Sequence, residues 1–102
     1  MAMLHTVNKS PTDKNSLESC IRLAKAGSSV LLIEDGVYGA IKGGSKADMV
    51  SNAMQNLSFY VLGPDIRARG VAEDKLLDGI KVVDYAGFVD LVTEHDTTQS
   101  WL

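Results

Sequence analysis

Short apolar runs alternate along this chain with segments whose apolar residues recur at helical spacing, the pattern of β-α units that build a parallel sheet. The first run, Met3 to Val7, leads through a Ser10-Pro11 turn into a helix that Asn15 and Glu18 open as a capping box. Gly27 is expected to close that helix, with Arg22 and Lys25 near the negative end of its dipole. The second run, SSVLLIEDG, is apolar without alternation from Val30 to Ile33, as befits a central strand covered on both faces. Beyond Gly36, VYGAIKGGSKADMVSNAMQNL gives a short helical turn, a break at Gly43-Gly44, and a helix capped by Ser45 with Asp48 three residues on. SFYVLG supplies a third strand, and Pro64 starts a short helical turn that Gly70 ends. Residues 71–79 read as a polar surface connection, and IKVVDY as a fourth strand. Asp84 then caps a last helix in which Tyr85, Phe88, Val89 and Val92 fall at i, i+3, i+4 and i+7 and define the expected buried face. The ending HDTTQSWL is polar until Trp101 and Leu102.

This pattern predicts one α/β domain over residues 3–102, with a mainly parallel sheet of at least four strands and helices on both faces, a flavodoxin-like three-layer sandwich. Met1 and Ala2 precede a second plausible start at Met3 and receive no role. A length of 102 residues suits a single core. The formal net charge of -3 offers no basic face for direct nucleic-acid binding. One cysteine cannot form an internal disulfide, and the N-terminal stretch holds no apolar run long enough for a signal peptide or membrane span, so the cytoplasm is the expected location.

Cys20 is the first candidate for chemistry. Leu17, Cys20, Ile21 and Ala24 share one helical stripe, which favours a thiol packed in the core. A reactive thiol needs a nearby cation or helix N-terminus to lower its pKa, and the residues three and four away are Ser16, Leu17, Leu23 and Ala24. Only tertiary neighbours can activate it. The glycines of EDGVYGAIKGGSK suggest a phosphate loop, but they match neither established spacing, and Glu34 and Asp35 would repel an anion. The C-terminal edges of parallel strands are nevertheless where open α/β folds place functional loops. Asp35, Gly36, Gly63, Asp65 and Arg67 are expected to gather there as loop-edge or partner-contact candidates. His5 and His95 have no Cys or His at ligand spacing, so neither a metal nor a cofactor is implied. An apolar pair such as Trp101-Leu102 frays at a polar terminus unless it docks on its own domain or on another subunit.

Four blocks, MLHTVNKSP, LLIEDGVYGAI, YVLGPDIRARG and VVDYAGFVDLV, resemble in order and spacing those of the DsrH/TusB family, and the likeness covers Met3 to Leu102. The resemblance implies a parallel α/β fold and a dimer of heterotrimers with DsrE/TusD-like and DsrF/TusC-like subunits. It further implies that persulfide sulfur rides on a cysteine of the DsrE or TusD subunit and passes to a small DsrC/TusE-like carrier. One branch serves sulfur oxidation; the other ends in 2-thiolation of the tRNA wobble uridine. SLESC and QSWL resemble the DsrH side, which points toward sulfur oxidation. Under this likeness Cys20 is an auxiliary sulfur acceptor at most, and the chain is an auxiliary subunit with no direct contact to nucleic acid or membrane. The rival readings are a stand-alone persulfide carrier that uses Cys20 as nucleophile and a free-standing small-ligand binder.

Overall fold

The computed structural model describes residues 3–44 and 46–101. Five strands form its sheet: β1 (Met3–Val7), β2 (Ser29–Leu32), β3 (Ser58–Leu62), β4 (Lys81–Val83) and β5 (Thr97–Trp101). All neighbouring pairs are parallel, in the order β4-β3-β2-β1-β5. Between them lie α1 (Ser16–Leu23), a 3-10 helix (Glu34–Ala40), α2 (Ala47–Ala53), α3 (Gly63–Ala68), a 3-10 turn (Glu73–Lys75) and α4 (Tyr85–Glu94).

Strand order decides which face each helix covers. From β1 to β4 the chain steps one way across the sheet, so right-handed crossovers put α1, the long 3-10 helix, α2 and α3 on one face. The return from β4 to β5, beyond β1, puts α4 alone on the other. Packing follows this division. On the first face Val7, Val30, Leu32, Phe59 and Val61 meet Leu17, Cys20, Val37, Val50 and Ile66. On the second, Leu4 and Leu31 meet Leu91, with Phe88, Tyr60 and Val83 half-buried around them. β2 is buried at every position, which explains its unbroken apolar run.

The polar ending forms a fifth strand, one that the apolar pattern does not mark. Residues 97–101 pair with β1 from Met3↔Thr97 to Val7↔Trp101, and only Trp101 is even half-buried. An edge strand exposed on most of its surface lacks the apolar alternation that marks a strand, while its backbone satisfies the free side of β1.

Helix boundaries also differ. α1 stops at Leu23, because Ala24 is already extended; Gly27, at φ 90°, instead forms a turn whose N–H donates to the Asn56 carbonyl at 2.8 Å. Asn15 occupies the N-cap without a side-chain cap bond. The 3-10 helix begins at Glu34, ahead of Gly36. The proposed Ser45 cap lies outside the described residues, as do Met1, Ala2 and Leu102. The polar connection holds the Glu73–Lys75 turn and an antiparallel bridge from Leu76 to Ile41.

α4 is capped as expected, with Gly87 N–H donating to Asp84 Oδ1 at 2.8 Å, but its buried face is different. Leu91 is 5% exposed and Phe88 half-buried, whereas Tyr85 and Val89 are each 60% exposed and Val92 is 41% exposed. YAGFVDLV carries two overlapping apolar stripes, and the sheet accepts the one through Phe88 and Leu91.

Candidate functional site

Cys20 sits on the inward stripe of α1 and is 0% exposed, packed in the core cluster that α1, the 3-10 helix, α2 and α3 share with the sheet. Burial pushes its thiol up to about 12. At neutral pH it is therefore protonated, because an apolar surround disfavours the charged thiolate. Leu17, one turn earlier, lies under the 3-10 helix so closely that a Cβ on Gly39 would come within 2.7 Å of its Cδ2. The cover over this part of α1 is tight.

At the C-terminal edge of the sheet, Asp35 and Asp65 come together through Arg69. Glu34, with a left-handed φ of 50°, directs its N–H to Asp65 Oδ2 at 2.6 Å. Arg69 donates through Nε to Asp35 Oδ1 at 2.9 Å and through Nη1 to the Asp65 carbonyl at 3.3 Å. The hydrogen bond to Asp35 holds the Arg69 guanidinium above its ordinary pKa against a smaller desolvation effect. One arginine and two carboxylates thus tie the loop after β2 to α3. Gly36 lies at the same edge because the 3-10 helix crosses the end of β1, where a Cβ would stand 2.1 Å from the Val7 carbonyl oxygen. Arg67 does not join this group. Its Nη1 lies beside Gly63, by a cavity of about 390 Å³ bounded by Val82, Val83, Asp84 and Gly87.

Arg69 and Glu34 are the residues that sequence reasoning passed over. Asp65 and Arg69 stand four apart, a spacing that puts both on one side of a helix and could have signalled their proximity, although the ion pair of Arg69 is made with Asp35. The left-handed Glu34 had no such signal, since glutamate adopts that conformation only under tertiary constraint.

Beside the 3-10 helix a second cavity, also about 390 Å³, is lined by Ser10, Thr12, Tyr38, Ile41 and Lys46 among others. Ser10 and Thr12 hydroxyls hydrogen-bond each other at 3.0 Å. Covalent catalysis needs a nucleophile paired with a base, and among the described lining residues these two hydroxyls pair with each other. Among the described residues no group of three or more His, Cys, Asp or Glu is placed to hold a metal ion.

Both histidines have structural partners. His95 donates through Nδ1 to the Leu91 carbonyl at 2.6 Å, and its Nε2 lies 2.9 Å from Ser29 Oγ. His5, buried in β1, accepts from Trp101 Nε1 at 3.0 Å, and the two rings tilt at 41° with centroids 6.1 Å apart. Trp101 therefore docks on its own domain. Among the described residues no helix is long and apolar enough to cross a membrane.

A family model described as "DsrH like protein" matches residues 9–98. The chain belongs to the DsrH-like family. It is 39% identical over 99 residues to Protein TusB of Enterobacter sp. (strain 638), covering 97% of this chain and all of that one. Protein TusB of Pectobacterium parmentieri is 35% identical over 100 residues, with the same coverage of 97% and 100%. The fold is similar to that of the ychN protein from E. coli, with a TM-score of 0.82 at 16% identity over 98% of both chains. That likeness shows the α/β fold alone. For this DsrH-like chain the arrangement just described offers a thiol sealed in the core and a loop edge held by ion pairing and hydrogen bonds.

Proposed function

We propose that this DsrH-like chain is a subunit that completes and positions a cytoplasmic sulfur-relay complex, with DsrE/TusD-like and DsrF/TusC-like partners, while the principal persulfide is carried elsewhere. The observation that carries this reading is the state of Cys20. To accept sulfur, a thiolate must attack the outer sulfur of a donor persulfide; the donor's S–S bond breaks, the donor leaves as a thiolate, and the acceptor becomes the persulfide. Cys20 is 0% exposed and its thiol is raised to about 12, so it meets neither requirement of access or charge. Family membership supplies the relay context.

The sulfur leaves such a complex on a small DsrC/TusE-like carrier. Two destinations are open to that carrier. The cysteine in SLESC and the ending QSWL favour intracellular sulfur oxidation. The full-length likeness to TusB proteins favours 2-thiolation of the tRNA wobble uridine. Co-expression with the two partner subunits followed by size measurement tests the relay reading, which predicts one stable assembly containing all three chains. Failure to assemble at micromolar concentration contradicts it. Loss of wobble-uridine 2-thiolation on gene deletion assigns the tRNA branch; unchanged tRNA with impaired sulfur oxidation assigns the other.

A further inference from the structure

The side of α4 turned away from the sheet is apolar where a solvated helix would be polar. Tyr85, Val89 and Val92 are spaced four and three residues apart, so they line one side of the helix, and all three are exposed. Single exposed apolar residues are ordinary, but a contiguous row with an aromatic at one end has the character of a binding surface. The stretch that carries it is acidic, although Arg67 of α3 shares a cavity with Asp84 at its start. Between residues 84 and 96 the sequence holds Asp84, Asp90, Glu94 and Asp96 and no Lys or Arg. All four are exposed, and among the described residues none takes part in an ion pair. The nearest preceding base, Lys81, lies over the Tyr60 ring at 5.8 Å.

We infer that this side of α4 is the docking surface for a different chain, one presenting apolar side chains flanked by Lys and Arg. The inference rests on the reading of the protein as a subunit of a larger assembly and names the face through which it binds. Charge decides against a second copy in the symmetric arrangement, because a two-fold contact through α4 would set Asp90 and Glu94 against their own equivalents. A basic partner neutralises these carboxylates, while Tyr85 supplies the buried aromatic anchor that such contacts favour. The opposite face carries α1, the 3-10 helix, α2 and α3, with Leu23 and Tyr38 as exposed large apolar residues on two different elements, whereas α4 stands alone on its face with three in one row.

The test uses the full chain with its co-expressed DsrE/TusD-like and DsrF/TusC-like subunits, and measures affinity at two salt concentrations. Val89→Glu and the double variant Asp90→Lys/Glu94→Lys alter only exposed positions, and thermal denaturation of each variant alone checks that the fold is retained. The expected result is a Kd raised at least about tenfold by each variant, as for truncation of a central contact. Salt should weaken the wild-type complex and have less effect on the charge-reversed one. If the wild type binds and both variants bind within about twofold of it, the surface assignment is overturned while the relay reading stands. If the wild type forms no complex with either subunit, the relay reading fails and this inference with it. Salt-insensitive self-association abolished by Val89→Glu would overturn the inference by making a second copy the occupant.

Discussion

Trp101 Nε1 donates to His5 Nδ1 at 3.0 Å, fastening the last strand to the first one. In register Trp101 stands opposite Val7, and its indole reaches back two positions along β1 to the buried imidazole. The bond fixes the neutral Nε2–H form of His5, since Nδ1 must keep its lone pair to accept. Trp101→Phe keeps an aromatic ring but leaves the buried Nδ1 without its donor. It should lower stability by about 1–3 kcal/mol, measured by denaturant unfolding.

The same contact gives a pH dependence. Burial holds the folded His5 pKa below the ordinary 6.5, so the unfolded chain takes up a proton that the folded chain refuses. The contribution of His5 is fully present above 6.5 and is lost as pH falls from there through the lowered folded value. The melting temperature should decline over that interval, and His5→Gln should flatten the decline. Equal slopes in the two proteins would contradict the assignment.

For Cys20, the raised thiol pKa predicts slow modification. In the folded chain at pH 8 an aromatic disulfide reagent should react at least about a hundredfold more slowly than after denaturation, because reaction waits for opening of the core. The linkage also has a definite sign: the unfolded thiol ionises near 9.0 and the folded one near about 12, so stability is lost as pH rises from 9.0 toward 12. Cys20→Ser should cost about 1–3 kcal/mol, since its hydroxyl enters an apolar core where Cys20 packs among Leu17, Val30 and Phe59.

Gly36→Ala should be far more damaging than a surface change. The added Cβ meets the Val7 carbonyl oxygen at 2.1 Å, a backbone atom held in the sheet, so the 3-10 helix itself must move. We expect a loss of about 3 kcal/mol or more, beyond the usual range for overpacking a flexible side chain. Calorimetry of the variant checks this.

What could be read in advance depended on burial. β2 announced itself because both its faces are covered, and the Asp84 cap because capping is local chemistry. β5 did not, since an edge strand gains most from its backbone and its TTQS residues carry no apolar signal. The orientation of α4 was hidden for the opposite reason: it has more apolar positions than one face of the sheet can cover, so periodicity alone could not choose between Val89 and Leu91. At the loop edge, Asp35 and Asp65 stood out in the sequence as positions, whereas their link through Arg69 depends on where α3 rests against the 3-10 helix.

In the proposed reading the chain supports a relay whose sulfur travels on another subunit, and persulfide mapping by mass spectrometry in the assembled complex during transfer, with wild type and Cys20→Ala side by side, puts that to the test. Persulfide is expected on a partner cysteine in both, with the variant complex transferring sulfur at no less than about half the wild-type rate, since a residue outside the reacting atoms contributes little to the barrier. Persulfide on Cys20 in the wild type, together with loss of most transfer in a correctly assembled Cys20→Ala complex, would contradict it.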